Sequence, residues 1–199
     1  MKNPVLFCSM LSLAIALSAG LAMRAESTAP LAAPASRSVD DPGHLLPAGV
    51  AGKMASKLED FEHRSGIQVI VQFHQKSPPE AEDKVPGAYM AALSGKLGTR
   101  RHGVLVVYFA DDPDWRVWIG DELAARFVGK AGTVQELTAS DAIHNTKEAM
   151  FNSAHAKAEA AFATLQKSAP VTALPTSAQH LQLQTEALLE ALMAKFSVN

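Results

Sequence analysis

The stretch RRHGVLVVYFADDPDWRVWIGDE, residues 100–122, decides the fold of this 199-residue chain. Within it, Val104–Ala110 is continuously apolar, which is typical of a strand covered on both faces. Trp115–Ile119 alternates apolar and polar side chains, which predicts a half-buried strand. The four residues between the two segments are few enough only for an antiparallel hairpin. The stretch therefore predicts a central strand and its antiparallel neighbour, joined by an acidic turn.

The segments before this hairpin predict the rest of the sheet. Residues 47–65 repeat apolar side chains at helical spacing, with Pro47 at the start and Gly66 just past the end. Residues 67–74 alternate as a strand, and residues 87–97 form a short helix. A strand–helix–strand unit calls for a right-handed crossover and a parallel strand pair. We therefore expect an α/β fold, an αβα sandwich in which a small mixed β-sheet is flanked by helices.

Extra helices are expected after the hairpin. They are predicted over residues 123–132, over a long segment that starts from a cap at Thr138 or Ser140, and over residues 179–196. We expect residues 39–168 to form one α/β domain. Residues 169–199 are expected to hold a proline-containing linker and a C-terminal amphipathic helix, which either packs on the domain or presents its apolar face to a partner.

The beginning of the chain is typical of an export signal. In residues 1–25, a lysine precedes Val5–Met23, a run of apolar or small residues. That run is nearly long enough to span a bilayer, so an uncleaved N-terminal anchor is the alternative. A cleaved signal predicts a periplasmic or secreted chain, and an uncleaved anchor would tether the chain to the membrane outside the cytoplasm. Residues 26–38 are rich in Ala, Pro and Ser and predict a flexible spacer. The only cysteine, Cys8, lies inside the signal, so the mature chain has no thiol for a disulfide or a metal site.

Composition and motifs narrow the classes of function. The formal net charge is -2, without a basic excess, so we expect no nucleic-acid partner. The sequence contains no G-x-S-x-G, no Walker A loop, no H-E-x-x-H and no C-x-x-C, and its seven histidines show no metal-ligand spacing. We therefore predict no catalytic residue, and the residues favour a protein that is not an enzyme.

An acidic cluster at the end of the central strand is the strongest candidate site. Asp111, Asp112 and Asp114 follow that strand, and Asp41 enters the domain before the first helix. Carboxylates gathered on loops at strand ends are the ligands that Ca²⁺ or Mg²⁺ requires. The alternative is structural, because Asp and Pro are favoured in tight turns for local hydrogen-bonding and backbone reasons.

Arg100 and Arg101 form the one basic cluster of the chain. Guanidinium groups bind phosphate or carboxylate groups, so these two arginines are the candidate anion-binding residues. The alternative is that they belong to a solvated turn.

Residues from Val39 to about Leu137 resemble the TPM domain. The matching pieces are VDDPGHLLP, LEDFEHRSGIQVIVQF and KLGTRRHGVLVVYFADDPDWRVWIG. This domain is found in a thylakoid-lumen acid phosphatase, a photosystem II repair protein and many exported bacterial proteins. The resemblance implies an αβα sandwich and export. Some family members look like divalent-metal binders or weak acid phosphatases, and others maintain membrane complexes.

The sequence departs from the family pattern at three places, one of which is MFNSAHAKAEAAF, where the family has a segment rich in Pro, Phe, Gly, Asp and Tyr. His102 stands where the family has Asp or Asn, and Gly120-Asp121-Glu122-Leu123 stands where the family often has G-Y-G-L-E. We therefore expect a non-enzymatic accessory or binding module for a membrane-associated or envelope complex. The alternative is an acid phosphatase, in which carboxylates hold Ca²⁺ or Mg²⁺ while Arg100 or Arg101 steadies the phosphate ester.

Overall fold

The computed structural model describes residues 38–170 and 172–197, so the predicted signal and all but the last residue of the spacer lie outside the described residues. The strands are β1 (Val39–Asp40), β2 (Gln68–His74), β3 (Gly103–Phe109) and β4 (Asp114–Ile119). The helices are α1 (Val50–Ser65), α2 (Ala88–Leu97), α3 (Ala124–Val128), α4 (Val134–Ala139), α5 (Ala142–Ser168) and α6 (Ser177–Phe196). None of the helices in these two ranges is long and apolar enough to cross a membrane.

The four strands form one mixed sheet in the order β1-β2-β3-β4. β1 and β2 pair in parallel, as do β2 and β3, whereas β3 and β4 form an antiparallel hairpin. This confirms the predicted mixed sheet and hairpin. β1 was not predicted, because a two-residue strand that pairs Val39 with Val71 is too short to show alternation.

Helices cover the two faces of the sheet unequally. Alternation along β2 sends Val69, Val71 and Phe73 to a large core that includes side chains of α1, α3, α5 and α6. The opposite face carries a small cluster around Leu105 and Met90, which belongs to α2. The predicted sandwich is therefore confirmed, but α2 alone covers its thin side.

The region after the hairpin contains one more helix than predicted. Thr133 and Glu136 form a capping box that starts α4, a T-x-x-E signal that is readable in the sequence. The prediction that Thr138 or Ser140 caps the long helix was wrong. Their hydroxyls instead donate back to Val134 O and Glu136 O, at 2.7 and 2.8 Å, so both residues belong to the end of α4. α5 follows Asp141, whose φ of 54° is left-handed.

α6 packs on the domain. Its buried residues include Leu188, Leu192 and Phe196, which join the large core. The Phe196 ring lies 6.1 Å from that of Phe127 on α3, and Arg126 donates to the carbonyl oxygen of Phe196. The helix therefore closes the thick side of the sandwich.

We predict that Thr176→Ala lowers the free energy of unfolding by about 1 kcal/mol, because it removes a helix N-cap. Thr176 Oγ1 accepts a hydrogen bond from Gln179 N at 3.2 Å, and Gln179 Oε1 accepts one from Thr176 N at 2.8 Å. Urea denaturation measures the loss, and Thr176→Ser is the control that keeps the cap. Equal stability of Thr176→Ala and the wild type would contradict the role of Thr176 as the N-cap of α6.

Candidate functional site at the hairpin tip

The predicted acidic turn is tied to the crossover loop that precedes α2. Asp111 Oδ1 accepts hydrogen bonds from Ser77 N at 2.8 Å, Ser77 Oγ at 2.9 Å and Asp112 N at 3.0 Å. Desolvation opposes the charged form of Asp111, but these hydrogen bonds outweigh it and lower the pKa of the carboxyl below its usual value. Asp111 is therefore a structural clasp between two loops.

Asp114 is engaged in an ion pair. Its Oδ2 accepts from Arg116 Nε at 3.1 Å, while Arg116 Nη1 lies 2.5 Å from Asp83 Oδ2. The same guanidinium lies 5.0 Å from the centroid of the Phe109 ring, which adds a cation–π contact. Arg116 thus joins the turn, the crossover loop and the thin face of the sheet, and two carboxylates neutralise its charge.

Asp41 holds the entry to α1. Its Oδ1 and Oδ2 accept from Leu45 N and Leu46 N, both at 2.9 Å. Asp41 and Asp111 lie at the same end of the sheet, but β2 separates their strands, which places those strands about 10 Å apart. In the part of the chain that the structure describes, no group of three His, Cys, Asp or Glu side chains is placed to hold a metal ion. The four predicted ligands therefore do not converge on one point.

Arg100 and Arg101 lie at the other end of β3. The Arg101 guanidinium pairs with Glu122 at 2.5 Å, and the Arg100 carbonyl oxygen accepts from Trp118 Nε1 at 3.3 Å. Seven residues of β3 separate these arginines from Asp111, a distance of more than about 20 Å at the usual rise per residue. The predicted metal ligands and the predicted phosphate ligands therefore do not face one common site. The strand between them was visible in the sequence.

Beside the acidic turn, the structure forms a cleft of about 280 Å³, here called the hairpin-tip cleft. Its apolar lining includes Trp115 of β4, Phe151 of α5 and Leu188 of α6, and Asp114 and His155 add charged or polar groups. No local sequence pattern indicates this cleft, because α5 and α6 follow the hairpin by tens of residues. Only the fold brings these helices to the hairpin.

Trp115 is held rigidly in this cleft. Its ring lies 4.9 Å from Tyr108 and 6.0 Å from Phe73, in tilted and edge-on arrangements that favour aromatic pairs. Both partners belong to neighbouring strands of the sheet. The indole therefore presents a fixed, half-buried apolar surface at the end of the hairpin.

A histidine–glutamate cluster joins α5 to α6 next to the cleft. Glu159 Oε1 lies 2.6 Å from His180 Nε2 and 3.8 Å from His155 Nδ1. The Phe162 ring stacks on His180 at 4.3 Å. The spacing of His155 and Glu159 on one helix was readable in the sequence, but the contact with His180 on the next helix was not. This cluster fixes the wall that carries His155.

On the thin face, at the same end of the sheet, a polar chain crosses from β1 to β2. Gln72 Nε2 donates to Asp40 Oδ2 at 3.4 Å, and Gln72 Oε1 lies 3.3 Å from His74 Nε2. Burial lowers the pKa of His74, and the nearby Asp40 carboxylate partly opposes this shift. The folded protein therefore favours the neutral imidazole.

We predict that the Asp111–Ser77 clasp stabilises the fold without a metal. In EDTA, Asp111→Ala and Ser77→Ala should each lower the urea midpoint, and the double variant should lose less than the sum of the two. Because folding lowers the pKa of Asp111, its contribution is present above the unfolded pKa and is lost as the pH falls through the folded pKa. Asp112→Ala is the matched control. Additive losses, or a loss seen only with Ca²⁺ or Mg²⁺, would contradict the clasp.

The pKa of His74 predicts a second pH dependence. Because folding lowers this pKa, stability is full above the unfolded value of about 6.5 and decreases as the pH falls towards the folded pKa. His74→Gln removes the titrating group, so its urea midpoint should fall less between pH 7 and pH 5 than that of the wild type. Parallel curves for the two proteins would show that His74 ionises equally in both states.

Comparison with known proteins does not identify a family for this chain. No protein-family model and no curated protein matches the chain. Among solved structures, the chain is similar to the solution NMR structure of the N-terminal domain of a protein from P. gingivalis. The two share 16% sequence identity over 82% of this chain and 87% of that chain, with a TM-score of 0.42. No family model matches and the name of this neighbour does not mention TPM, so the TPM resemblance is not confirmed.

Proposed function

We propose that this chain is an exported, TPM-like module that binds a protein of a membrane-associated or envelope complex and catalyses no reaction. The contact surface in this proposal is the hairpin-tip cleft. The observation that carries the proposal is the preorganised Trp115 in the wall of that cleft, beside an acidic turn held by its own hydrogen bonds.

The residues around the tip are those that dominate protein interfaces. Trp and Tyr are enriched among the residues that contribute most binding energy, and here Trp115 and Tyr108 are both partly exposed near one turn. The contact between their two rings fixes them before binding, so little side-chain entropy remains to be lost. A rigid aromatic surface of this kind supports recognition of a partner.

The size and charge of the cleft suggest what the partner inserts. A volume of about 280 Å³ lies below the usual range of about 300–1,000 Å³ for small-molecule pockets, and suits a single side chain. The exposed Asp114 lines the cleft, and the exposed Asp111 and Asp112 belong to the same acidic turn. A partner segment with a lysine or arginine would complement both the apolar wall and the acidic turn.

The alternative is a metal-assisted acid phosphatase that acts on phosphate esters. It requires the acidic turn and Arg100 or Arg101 at one phosphate, and their positions at opposite ends of β3 do not support that arrangement. One result of the experiment below would nevertheless establish phosphatase activity.

Site-specific photocrosslinking in cells of the native host tests the proposal. A photoreactive residue at Asp112 should give a discrete protein adduct that is competed by excess unlabelled protein, whereas the same residue at Glu122, at the other end of the hairpin, should not. In the same assay, Trp115→Ala should reduce the adduct at least tenfold, because truncating an aromatic hot spot costs about 2 kcal/mol or more. Trp118→Ala, which changes the only other tryptophan, is the matched control.

Two results would contradict the proposal. One is equal crosslinking from the two ends of the hairpin. The other is hydrolysis of p-nitrophenyl phosphate that requires Mg²⁺ or Ca²⁺ and is lost in Asp114→Asn, which would establish the phosphatase instead.

A further inference from the structure

A second cleft, of about 510 Å³, lies along the outer edge of β4, beyond the opposite end of the hairpin from the acidic turn. We call it the edge cleft. We propose that the edge cleft binds a small apolar monocarboxylate, with Lys147 of α5 as the cation that receives the carboxylate.

Lys147 reaches the free edge of the sheet. Its Nζ donates to Val117 O at 2.7 Å. Gly120 N donates to Gly103 O at 2.8 Å, so the alternating antiparallel pattern turns the backbone groups of Val117 away from β3. The ammonium group is therefore anchored at one point of the β4 edge, in the lining of the cleft.

The charge of Lys147 has no acidic partner. Among residues 38–170 and 172–197, no carboxylate oxygen lies within 4.0 Å of its Nζ, and Val117 O is the one acceptor of this three-donor group. Burial lowers the pKa of Lys147, which reflects this loss of solvent. Lys147 is half-buried, and an anion at its ammonium would supply the partner that water supplies to a fully exposed lysine.

The walls of the cleft define the rest of the ligand. The apolar lining consists of Pro86, Trp118, Ile119, Val134 and Ile143. The volume falls within the range of small-molecule pockets, and an apolar lining with one charged group is typical of sites for amphipathic ligands. The apolar tail of the ligand would therefore lie along Trp118 and Ile143, because the Ile119 side chain is buried in the large core.

Other charged groups in the lining limit the charge of the ligand. Asp121 and Asp141 contribute exposed carboxylates, and His144 contributes an imidazole. Neither carboxylate lies within 4.0 Å of Lys147 Nζ, so the ammonium is left for a ligand. The two negative charges repel a dianion such as phosphate more strongly than a monocarboxylate. The site is also distinct from the hairpin-tip cleft, because the two share no lining residue.

The experiment uses octanoate as the probe, below its micelle concentration, and follows both tryptophan indole N–H resonances by NMR. Octanoate should shift the Trp118 resonance saturably and leave that of Trp115 unchanged. Octanol, which has the same tail without the charge, should bind at least tenfold more weakly. Lys147→Met, which keeps the stem but not the charge, should weaken octanoate binding at least tenfold, while Lys130→Met should not change it.

Three outcomes would overturn the inference: no saturable shift of Trp118 at millimolar octanoate, equal binding of octanol and octanoate, or equal binding by Lys147→Met. The pKa of Lys147, read from its Nζ and ε-carbon resonances, gives a second measure in the unaltered protein. Bound octanoate should raise it, and an unchanged pKa at saturation would also refute the carboxylate contact.

Discussion

Burial of β3 on both faces and both edges is the constraint on which the rest of the structure depends. All of its residues except Tyr108 are buried, and it pairs with β2 on one side and β4 on the other. A slip of one residue would exchange its two faces and move Val104 and Val106 out of the large core. The register is therefore fixed, and with it the distance between the two turns that β3 connects.

The length of β3 separates the acidic turn from the ion pair of Arg101 and Glu122. At one end, Asp111 and Asp114 hold the crossover loop and Arg116, and the rigid turn borders a cleft. At the other end, Glu122 pairs with Arg101 and lies 3.4 Å from His102. His102 and Glu122 are also positions at which the sequence departs from the TPM pattern, and in space the two are neighbours. The acidic and basic residues that looked like parts of one site thus stabilise opposite ends of a hairpin.

The sequence was informative where a pattern is local. Alternation in β2 and β4, the apolar run of β3 and the helical spacing of α1 predicted the mixed sheet and its hairpin. The short β1 was missed because its two residues are defined only by pairing with β2. The hairpin-tip cleft was missed for the same physical reason, since Trp115 meets Phe151 and Leu188 only after α5 and α6 pack on the sheet. By contrast, the separation of Arg101 from Asp111 could be predicted from the sequence, because the apolar run of β3 lies between them.

The most direct test of this account is the distance between the two ends of the hairpin in solution. Spin labels at Arg101→Cys and Asp112→Cys, in a chain whose only cysteine is replaced by Cys8→Ser, allow pulsed electron paramagnetic resonance to measure it. The extended strand β3 predicts one narrow distribution of label-to-label distances, centred above about 20 Å. A main population below about 15 Å would bring the acidic and basic groups to one site and contradict the account.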